Sequence, residues 1–305
     1  MNTRTDFPNI LSFDVEEWFH LRRTEAVFPR AQWEALPARL PQALERVLER
    51  LAATGNRATF FWLGWCAERH PEWVGRVAAA GHEIACHGYA HEALDRLTPA
   101  SFRLELTRTR ALLEDLSGQA VVGFRAPSLS LGPATAWMLE VLVEEGFAYD
   151  SSLLATPIRV NRPRPTHRDR PAPHDAALAA AAMNGLLRRW QPWRWETPAG
   201  PIVELPLAVR PTLGVNLPFG GGIFFRCAPW WAVAPTLAAM NARGVPGVFY
   251  AHPWEFDPDS PLPPPWRERL AHGFRLSAGR AKYERLLRAF RFLPAREALE
   301  ALPLT

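Results

Sequence analysis

The stretch "RATFFWLGWCAERHPEWVGRVAAAGHEIACHG" covers residues 57–88 and contains two apolar runs on either side of an amphipathic segment. "RATFFWLG" and "HEIACHG" have the length and apolar content of buried strands. "HPEWVGRVAAAG" has helical periodicity and ends at a glycine. A strand, a helix and a second strand in this order predict a βαβ unit, in which the two strands pair in parallel.

The same alternation extends from residue 8 to about residue 155. Further strands are predicted at "NILSFDV", "AVVGFRAP" and "FAYDSSL", and further helices at "PQALERVLERLAATG", "TPASFRLELTRTRALLEDLSG" and "GPATAWMLEVLVEEG". The alternation of strands and helices resumes further along the chain with "GPIVELPLAV", "APWWAVAPTLAAMNARG", "VPGVFYAH" and "AGRAKYERLLRAF". Short strands that alternate with longer helices predict an α/β fold built on a parallel sheet.

The alternation is interrupted by "TPIRVNRPRPTHRDRPAPHD", which is rich in arginine and proline and predicts an irregular loop. We therefore expect a single domain with a core at 8–155 and 201–300 and an insertion at about 156–200.

The composition narrows the class of protein. The chain has 305 residues, of which 48% are hydrophobic and 22% charged, which is enough for a sizeable core. A formal net charge of only +4 gives little support to a nucleic-acid partner. The three cysteines do not suggest a disulfide framework, and no signal peptide or transmembrane segment is predicted. We expect a reduced, cytoplasmic protein; the oligomeric state is left open.

Ionisable side chains follow five of the predicted strands. They are Asp14, Glu16, Glu17, His87, His91, Arg125, Asp150 and His252. A single carboxylate or histidine at such a place is more often a helix cap or a structural residue. Five strands that all end in ionisable groups indicate an active site instead, because the carboxyl ends of parallel strands meet at one edge of the sheet.

The residue types fit a metal-assisted hydrolase. His87 and His91 are four residues apart and can face one ion if the segment turns helical, and a carboxylate completes three protein ligands. A second carboxylate could accept a proton from water, and a distant histidine held protonated by Asp150 could donate one to a leaving nitrogen. The pattern predicts hydrolysis of an amide or an ester.

In order along the chain, the blocks "SFDVEEWF", "HGYAH", "GFRAPS", "YDSS" and "FYAHPWEFDP" resemble those of the NodB-like polysaccharide deacetylases, carbohydrate esterase family 4. The resemblance spans about residues 8–300. "NLPFGGGIFFR" and "YAHPWEFDP" are similar to the exosortase-associated branch from bacterial exopolysaccharide loci. The resemblance implies a deformed (β/α) barrel of about seven strands.

The resemblance also implies ligands for one divalent ion, either zinc or cobalt, nickel or manganese. His87 and His91 match the metal-binding histidines, and Asp14 matches the general base. Val15 replaces the family's second aspartate, a metal ligand, so Glu16 is the expected substitute, with Asp14 as the alternative.

The other roles implied by the resemblance concern proton transfer and the substrate. Arg125 matches the arginine that orients the base, and the backbone N–H of Ser128 falls at the oxyanion-donor position. His252 matches the general acid and Asp150 its carboxylate partner. Substrate-pocket positions are assigned to Tyr250 and Trp254.

The resemblance implies N-deacetylation of N-acetylhexosamine units in an exopolysaccharide or its precursor. Peptidoglycan, chitooligosaccharides and small cyclic amides are alternative substrates, and a catalytically inactive sugar-binding module is the alternative outside enzymes. The partner is then an N-acetylated oligo- or polysaccharide, and the location is cytoplasmic or peripheral at the inner membrane.

Overall fold

The structure is a computed structural model that describes residues 5–156, 190–212, 215–264 and 266–302. The strands are β1 (Thr5–Val15), β2 (Thr59–Trp62), β3 (Glu83–Cys86), β4 (Gly123–Phe124), β5 (Tyr149–Asp150), β6 (Trp193–Thr197), β7 (Gly200–Glu204), β8 (Val209–Thr212), β9 (Val215–Pro218), β10 (Val248–Ala251) and β11 (Phe290–Leu293). The helices are α1 (Leu40–Thr54), α2 (Gly64–Arg69), α3 (Pro71–Ala79), α4 (Pro99–Ser117), α5 (Trp137–Glu144), α6 (Gly222–Cys227), α7 (Trp230–Asn241), α8 (Trp266–Gly273), α9 (Leu276–Ala289) and α10 (Ala295–Glu300).

Nine of the strands form one sheet in the order β10-β1-β2-β3-β4-β5-β7-β6, with β11 also paired to β1. All of the pairings are parallel except the one between β6 and β7. The segment that follows β7 lies beside β10, the strand at the other end of the sheet. There the Ala208 N–H donates to the Val248 carbonyl of β10. The sheet therefore curls into the expected deformed barrel, with helices packed around it.

The sequence signals explain the local structure. β2 and β3 are fully buried, as their apolar content predicts for parallel strands. Thr98 caps α4 by accepting a hydrogen bond from the Ser101 N–H, and α4 ends at Gly118, whose φ of 66° is left-handed. The βαβ unit of residues 57–88 is confirmed, because β2 and β3 pair in parallel around α2 and α3.

Three features of the described residues were not anticipated. The strand β6 lies inside the range predicted as an insertion and pairs with β7 in the main sheet. β8 and β9 form a separate two-stranded sheet, and β11 pairs with the N-terminal half of β1. Residues 157–189, which make up most of the predicted insertion, lie outside the described residues, so the insertion stays a prediction.

The register of the sheet decides which side chains meet. Val15, Trp62, Cys86, Phe124, Asp150 and Glu204 are successive Cα partners across six strands. Phe13 is in turn paired with Ala251 of β10. Residues at or just beyond these positions share one edge of the sheet, which is where the predicted site residues lie.

Candidate metal centre and active site

Glu16, His87 and His91 form the candidate metal site. One ligand atom from each lies within 4.8 Å of the others, and the His91 Nε2 is 2.9 Å from the Glu16 Oε2. Both Glu16 carboxylate oxygens are buried, and the imidazole nitrogens of His91 and His252 face them. A buried carboxylate that faces imidazole rings fits a divalent ion such as zinc. Asp14, the alternative ligand, is not a member of this cluster.

His87 is oriented for metal binding through its other ring nitrogen. Its Nδ1 lies 2.8 Å from the Arg125 carbonyl oxygen, which can only accept, so Nδ1 carries the hydrogen and Nε2 has the lone pair. Burial lowers the pKa of His87 to about 4, so the ring is neutral at pH 7, the state that binds a cation.

The geometry of the segment 87–91 differs from the expectation. No helix forms between the two histidines; instead Gly88 and His91 have left-handed φ values of 76° and 55°. The two rings still lie close, with centroids 5.6 Å apart. His91 therefore reaches the centre through a turn of the backbone, and Gly88 supplies a conformation that other residues rarely adopt.

Arg125 holds Asp14 through a buried hydrogen bond. Arg125 is fully buried, and its Nη1 donates to the Asp14 Oδ1 and to the Ser12 Oγ, both at 2.7 Å. Its Nε and Nη2 donate to the carbonyl and hydroxyl oxygens of Ser151. This network fixes the direction of the Asp14 carboxylate next to the metal cluster, which suits a general base.

His252 lies beside Glu16, but its carboxylate partner is Glu255. The His252 Nε2 is 3.5 Å from the Glu16 Oε1, and the Nδ1 is 3.0 Å from the Glu255 Oε1. Burial opposes protonation of the ring, but the hydrogen bond to Glu255 and the charge of Glu16 outweigh it and raise the pKa of His252 to about 9. The predicted pairing with Asp150 is therefore wrong.

Asp150 forms a different, fully buried pair. It accepts hydrogen bonds from the Ser152 hydroxyl at 2.6 Å and the Ser152 N–H at 3.2 Å. Burial raises the pKa values of both carboxyl groups; the hydrogen bond between them lowers the pKa of Asp150 in part, whereas the charge of Asp150 raises the pKa of Glu204 further. Glu204 also accepts from the Leu153 N–H and the Trp195 Nε1–H. Glu204 is a residue that the sequence analysis missed, although its place at the end of an apolar strand was a usable signal.

Glu17, which also follows the first strand, has a structural role. Its carboxylate accepts from the backbone N–H groups of Arg39 and Leu40 at the start of α1. Burial raises the pKa of Glu17 to about 7, although these hydrogen bonds oppose the shift.

The remaining predicted site residues are the oxyanion donor Ser128 and the substrate-pocket residues Tyr250 and Trp254. Ser128 is half-buried with a left-handed φ of 57°, and its role as oxyanion donor stays a prediction. The Tyr250 ring lies 5.6 Å from the His252 ring. Gly221 packs so tightly against Tyr250 that an added Cβ would lie 2.2 Å from a ring carbon. Trp254 is 4% exposed and stacks on His252 and His272, so it does not offer an open ring face to a sugar.

Comparison with protein families gives two matches. Residues 33–148 match the family described as polysaccharide deacetylase, and residues 171–300 match a domain of unknown function, DUF3473. Residues 33–148 are thus similar to the polysaccharide deacetylase family and are called the deacetylase segment. This deacetylase segment includes His87, His91 and Arg125, whereas Glu16 precedes it and His252 follows it.

Curated relatives resemble about a third of the chain. A peptidoglycan deacetylase-like protein of Gibberella zeae is 36% identical over 110 residues, which are 36% of this chain and 31% of that protein. A peptidoglycan deacetylase of Helicobacter pylori is 35% identical over 97 residues, which are 32% of either chain. The aligned region thus spans about a third of the length of these relatives.

One solved structure supports the fold over the whole chain. A crystal structure of a putative polysaccharide deacetylase from Mycobacterium smegmatis has a TM-score of 0.59 and 20% sequence identity, and the match covers 99% of this chain and 94% of that one. The likeness confirms that the deacetylase segment is part of a larger single fold. Among the described residues, no helix is long and apolar enough to cross a membrane.

Proposed function

We propose that the protein is a metal-dependent N-deacetylase that hydrolyses the N-acetyl group of N-acetylhexosamine units in a saccharide. The observation that carries the proposal is the meeting of three groups at one edge of the sheet. These are the Glu16, His87 and His91 cluster, the Arg125-bound Asp14, and His252. A sugar-binding module would have no need for a base and an acid on either side of such a cluster.

Glu16, His87 and His91 would hold the metal. Two neutral imidazoles and one carboxylate leave further coordination positions open for water and substrate. Because two of the three ligand atoms are nitrogen, this set favours zinc over cations that prefer oxygen ligands only. Cobalt, nickel and manganese are the other candidates. A divalent ion bound there polarises a carbonyl and lowers the pKa of water.

The proton transfers are assigned to the protein side chains. Asp14, held by Arg125, accepts the proton of the attacking water, while Arg125 remains charged and fixes the carboxylate. His252, protonated through neutral pH because of Glu255, donates a proton to the departing amine nitrogen. The Ser128 backbone N–H is proposed to stabilise the developing oxyanion, a role in which backbone N–H groups are effective.

The proposed substrate is a bacterial exopolysaccharide or its precursor, and the protein would act in the cytoplasm or at the inner membrane surface. Peptidoglycan is the second candidate, because two curated relatives that match about a third of the chain are named a peptidoglycan deacetylase and a peptidoglycan deacetylase-like protein. Cell fractionation would test the location.

The test is acetate release from a panel of N-acetylated exopolysaccharide fragments, peptidoglycan fragments and chitooligosaccharides. We expect release that stops with chelator and returns when one divalent metal is added back. Glu16→Gln should release no acetate under either condition, and the exposed Glu196→Gln is the matched control that should behave as wild type. Tight binding without acetate release from any substrate would instead identify a sugar-binding module.

A further inference from the structure

The helix α8 carries a row of exposed apolar side chains. Seven large apolar side chains are exposed among the described residues, and three of them lie within residues 266–274. Trp266 is 69% exposed, Leu270 60% and Phe274 42%. Trp266 and Leu270 are four residues apart and therefore share one face of α8, and Phe274 follows directly after the helix ends. Single exposed apolar residues are common, but an apolar patch indicates an interaction surface.

The opposite face of α8 packs toward the candidate active site. His272 is 3% exposed, and its ring stacks on Trp254 with the centroids 3.9 Å apart. Trp254 in turn stacks on His252, the proposed acid, with the centroids 5.0 Å apart. A helical turn holds 3.6 residues, so Leu270 and His272, two residues apart, point to opposite sides. The thickness of one helix, ~10 Å, thus separates the exposed patch from the ring stack.

Arg226 fixes the end of α8. Its Nη1 donates to the carbonyl oxygens of His272 at 2.7 Å and Phe274 at 2.9 Å. Arg226 is 4% exposed, and its Nε lies 3.5 Å from the Oε2 of Glu255, the carboxylate beside His252. The exposed patch is therefore tied to the buried network of the active site, so its position relative to that site is defined.

The segment that carries the patch is strongly basic. Residues 266–291, which include α8 and α9, contain eight arginine or lysine residues and two glutamates. Their net charge of +6 exceeds the +4 of the whole chain, so the rest of the chain is net negative. Arg269 and Arg275, next to the apolar row, are both exposed. Of the two glutamates, Glu284 lies 3.4 Å from Arg50 of α1. An anionic partner therefore complements this surface.

A further exposed tryptophan borders α9. The guanidinium carbon of Arg285 lies 4.5 Å from the centre of the Trp230 ring at the start of α7, and the next residue, Trp231, is 74% exposed. Exposed tryptophan, leucine and phenylalanine among basic residues are typical of surfaces that insert into the headgroup region of a membrane. A second copy of the chain fits less well, because it would bring the same positive charge against this one.

We propose that α8 and the start of α9 dock on a membrane surface that contains anionic phospholipids. Trp266, Leu270 and Phe274 insert between the headgroups, and Arg269 and Arg275 face the lipid phosphates. The docking surface goes beyond the proposed reaction, because it assigns a partner that takes no part in the chemistry. Docking would hold the active site close to saccharides at the same membrane.

The experiment measures binding to vesicles by flotation. The vesicles contain either equal parts of phosphatidylglycerol and phosphatidylcholine or phosphatidylcholine alone. We expect the full chain to float with the anionic vesicles at low salt and to bind much less to the neutral ones. High salt should weaken but not abolish binding to the anionic vesicles, because it screens the charges and leaves the apolar insertion.

Substitutions on the exposed face separate the apolar and the charged contributions. Leu270→Ser and Phe274→Ser should each weaken binding about tenfold, since each removes an inserted apolar side chain. Arg269→Gln and Arg275→Gln should each weaken it about fivefold. The matched controls are Leu104→Ser on α4, where the leucine is 71% exposed, and Arg194→Gln on β6, where the arginine is exposed; both should bind as wild type.

Three outcomes would overturn the proposal. The first is no flotation of the wild type, and the second is equal binding of Leu270→Ser, Phe274→Ser and the wild type. The third is a dimer in solution that Leu270→Ser dissociates, because the patch would then be covered by a second copy of the chain. The vesicle assay needs no turnover, so flotation without acetate release would refute the deacetylase proposal and leave the docking surface standing.

Discussion

The Nδ1 atom of His252 lies 3.0 Å from the Oε1 of Glu255, three residues further along the chain. The same carboxylate oxygen also accepts from the His252 backbone N–H at 3.2 Å, so one short turn fixes both the backbone and the ring. On the other side, the Arg226 Nε is 3.5 Å from the Glu255 Oε2. The proposed acid and its carboxylate partner therefore lie in one short segment of the chain, whereas Asp150 pairs with Glu204.

The pH dependence of kcat/KM should depend on Glu255. The raised pKa of His252 keeps the acid protonated through neutral pH, and activity should fall when the pH rises above that pKa. Glu255→Gln removes the negative charge, which lowers the pKa of His252 and should move the basic limb to lower pH. Asp150→Asn is the control and should leave the limb in place; a shift in Asp150→Asn alone would restore the original pairing.

The metal site should depend on both histidines. His87→Ala and His91→Ala each remove one of three protein ligands, so we expect loss of bound metal and a fall in kcat of at least about 100-fold with the fold retained. The measurement is metal content by elemental analysis together with a circular dichroism spectrum. His70→Ala, outside the cluster, should keep its metal. Full metal occupancy in either cluster variant would mean that the ion binds elsewhere.

Substitutions of Asp14 and Glu16 should distinguish the general base from the metal ligand. Glu16→Gln should lower the metal content, because Glu16 is the carboxylate of the cluster. Asp14→Asn should keep the metal and lower kcat by about 10²–10⁴, the usual contribution of general base catalysis. Metal analysis and turnover are measured on the same preparations. If only Asp14→Asn lost its metal, the two roles would be exchanged.

The buried pair of Asp150 and Glu204 should make stability fall as the pH rises. Both pKa values are raised in the folded state, so the folded protein binds more protons than the unfolded chain. The contribution of this pair to the free energy of unfolding is then highest below the ordinary carboxyl pKa of about 4 and decreases as the pH rises through the raised values.

Substitution of Glu204 tests this pair. Glu204→Gln keeps a donor toward Asp150 and removes the titration, so we expect a loss below about 1 kcal/mol and a flatter pH dependence. Glu204→Ala leaves Asp150, the Leu153 N–H and the Trp195 Nε1–H with one partner fewer each and should cost about 3 kcal/mol. Urea unfolding at several pH values gives these energies, with exposed Glu196→Gln as control. An unchanged pH slope in Glu204→Gln would show that Glu204 does not titrate with Asp150.

The sequence by itself determined the strands and helices of the βαβ units and the edge at which the functional residues gather. Periodicity and glycine signals locate α1, α3 and α4, and the apolar runs locate β1, β2 and β3, because local propensity and burial pattern act over short segments. The same patterns place Asp14, His87, Arg125 and His252 at strand ends, so their convergence follows from the parallel topology.

Only the tertiary structure decided which side chains at this edge become partners. Asp150 and Glu255 are both carboxylates near a strand end, and only the folded structure shows that the Glu255 Oε1 lies 3.0 Å from the His252 Nδ1. Glu204 meets Asp150 because β5 and β7 pair with these residues in register, which no local pattern specifies. β11 pairs with β1 although the two strands lie near opposite ends of the chain. Local patterns do not predict this pairing either, because its free energy comes from contacts between segments that are distant in sequence.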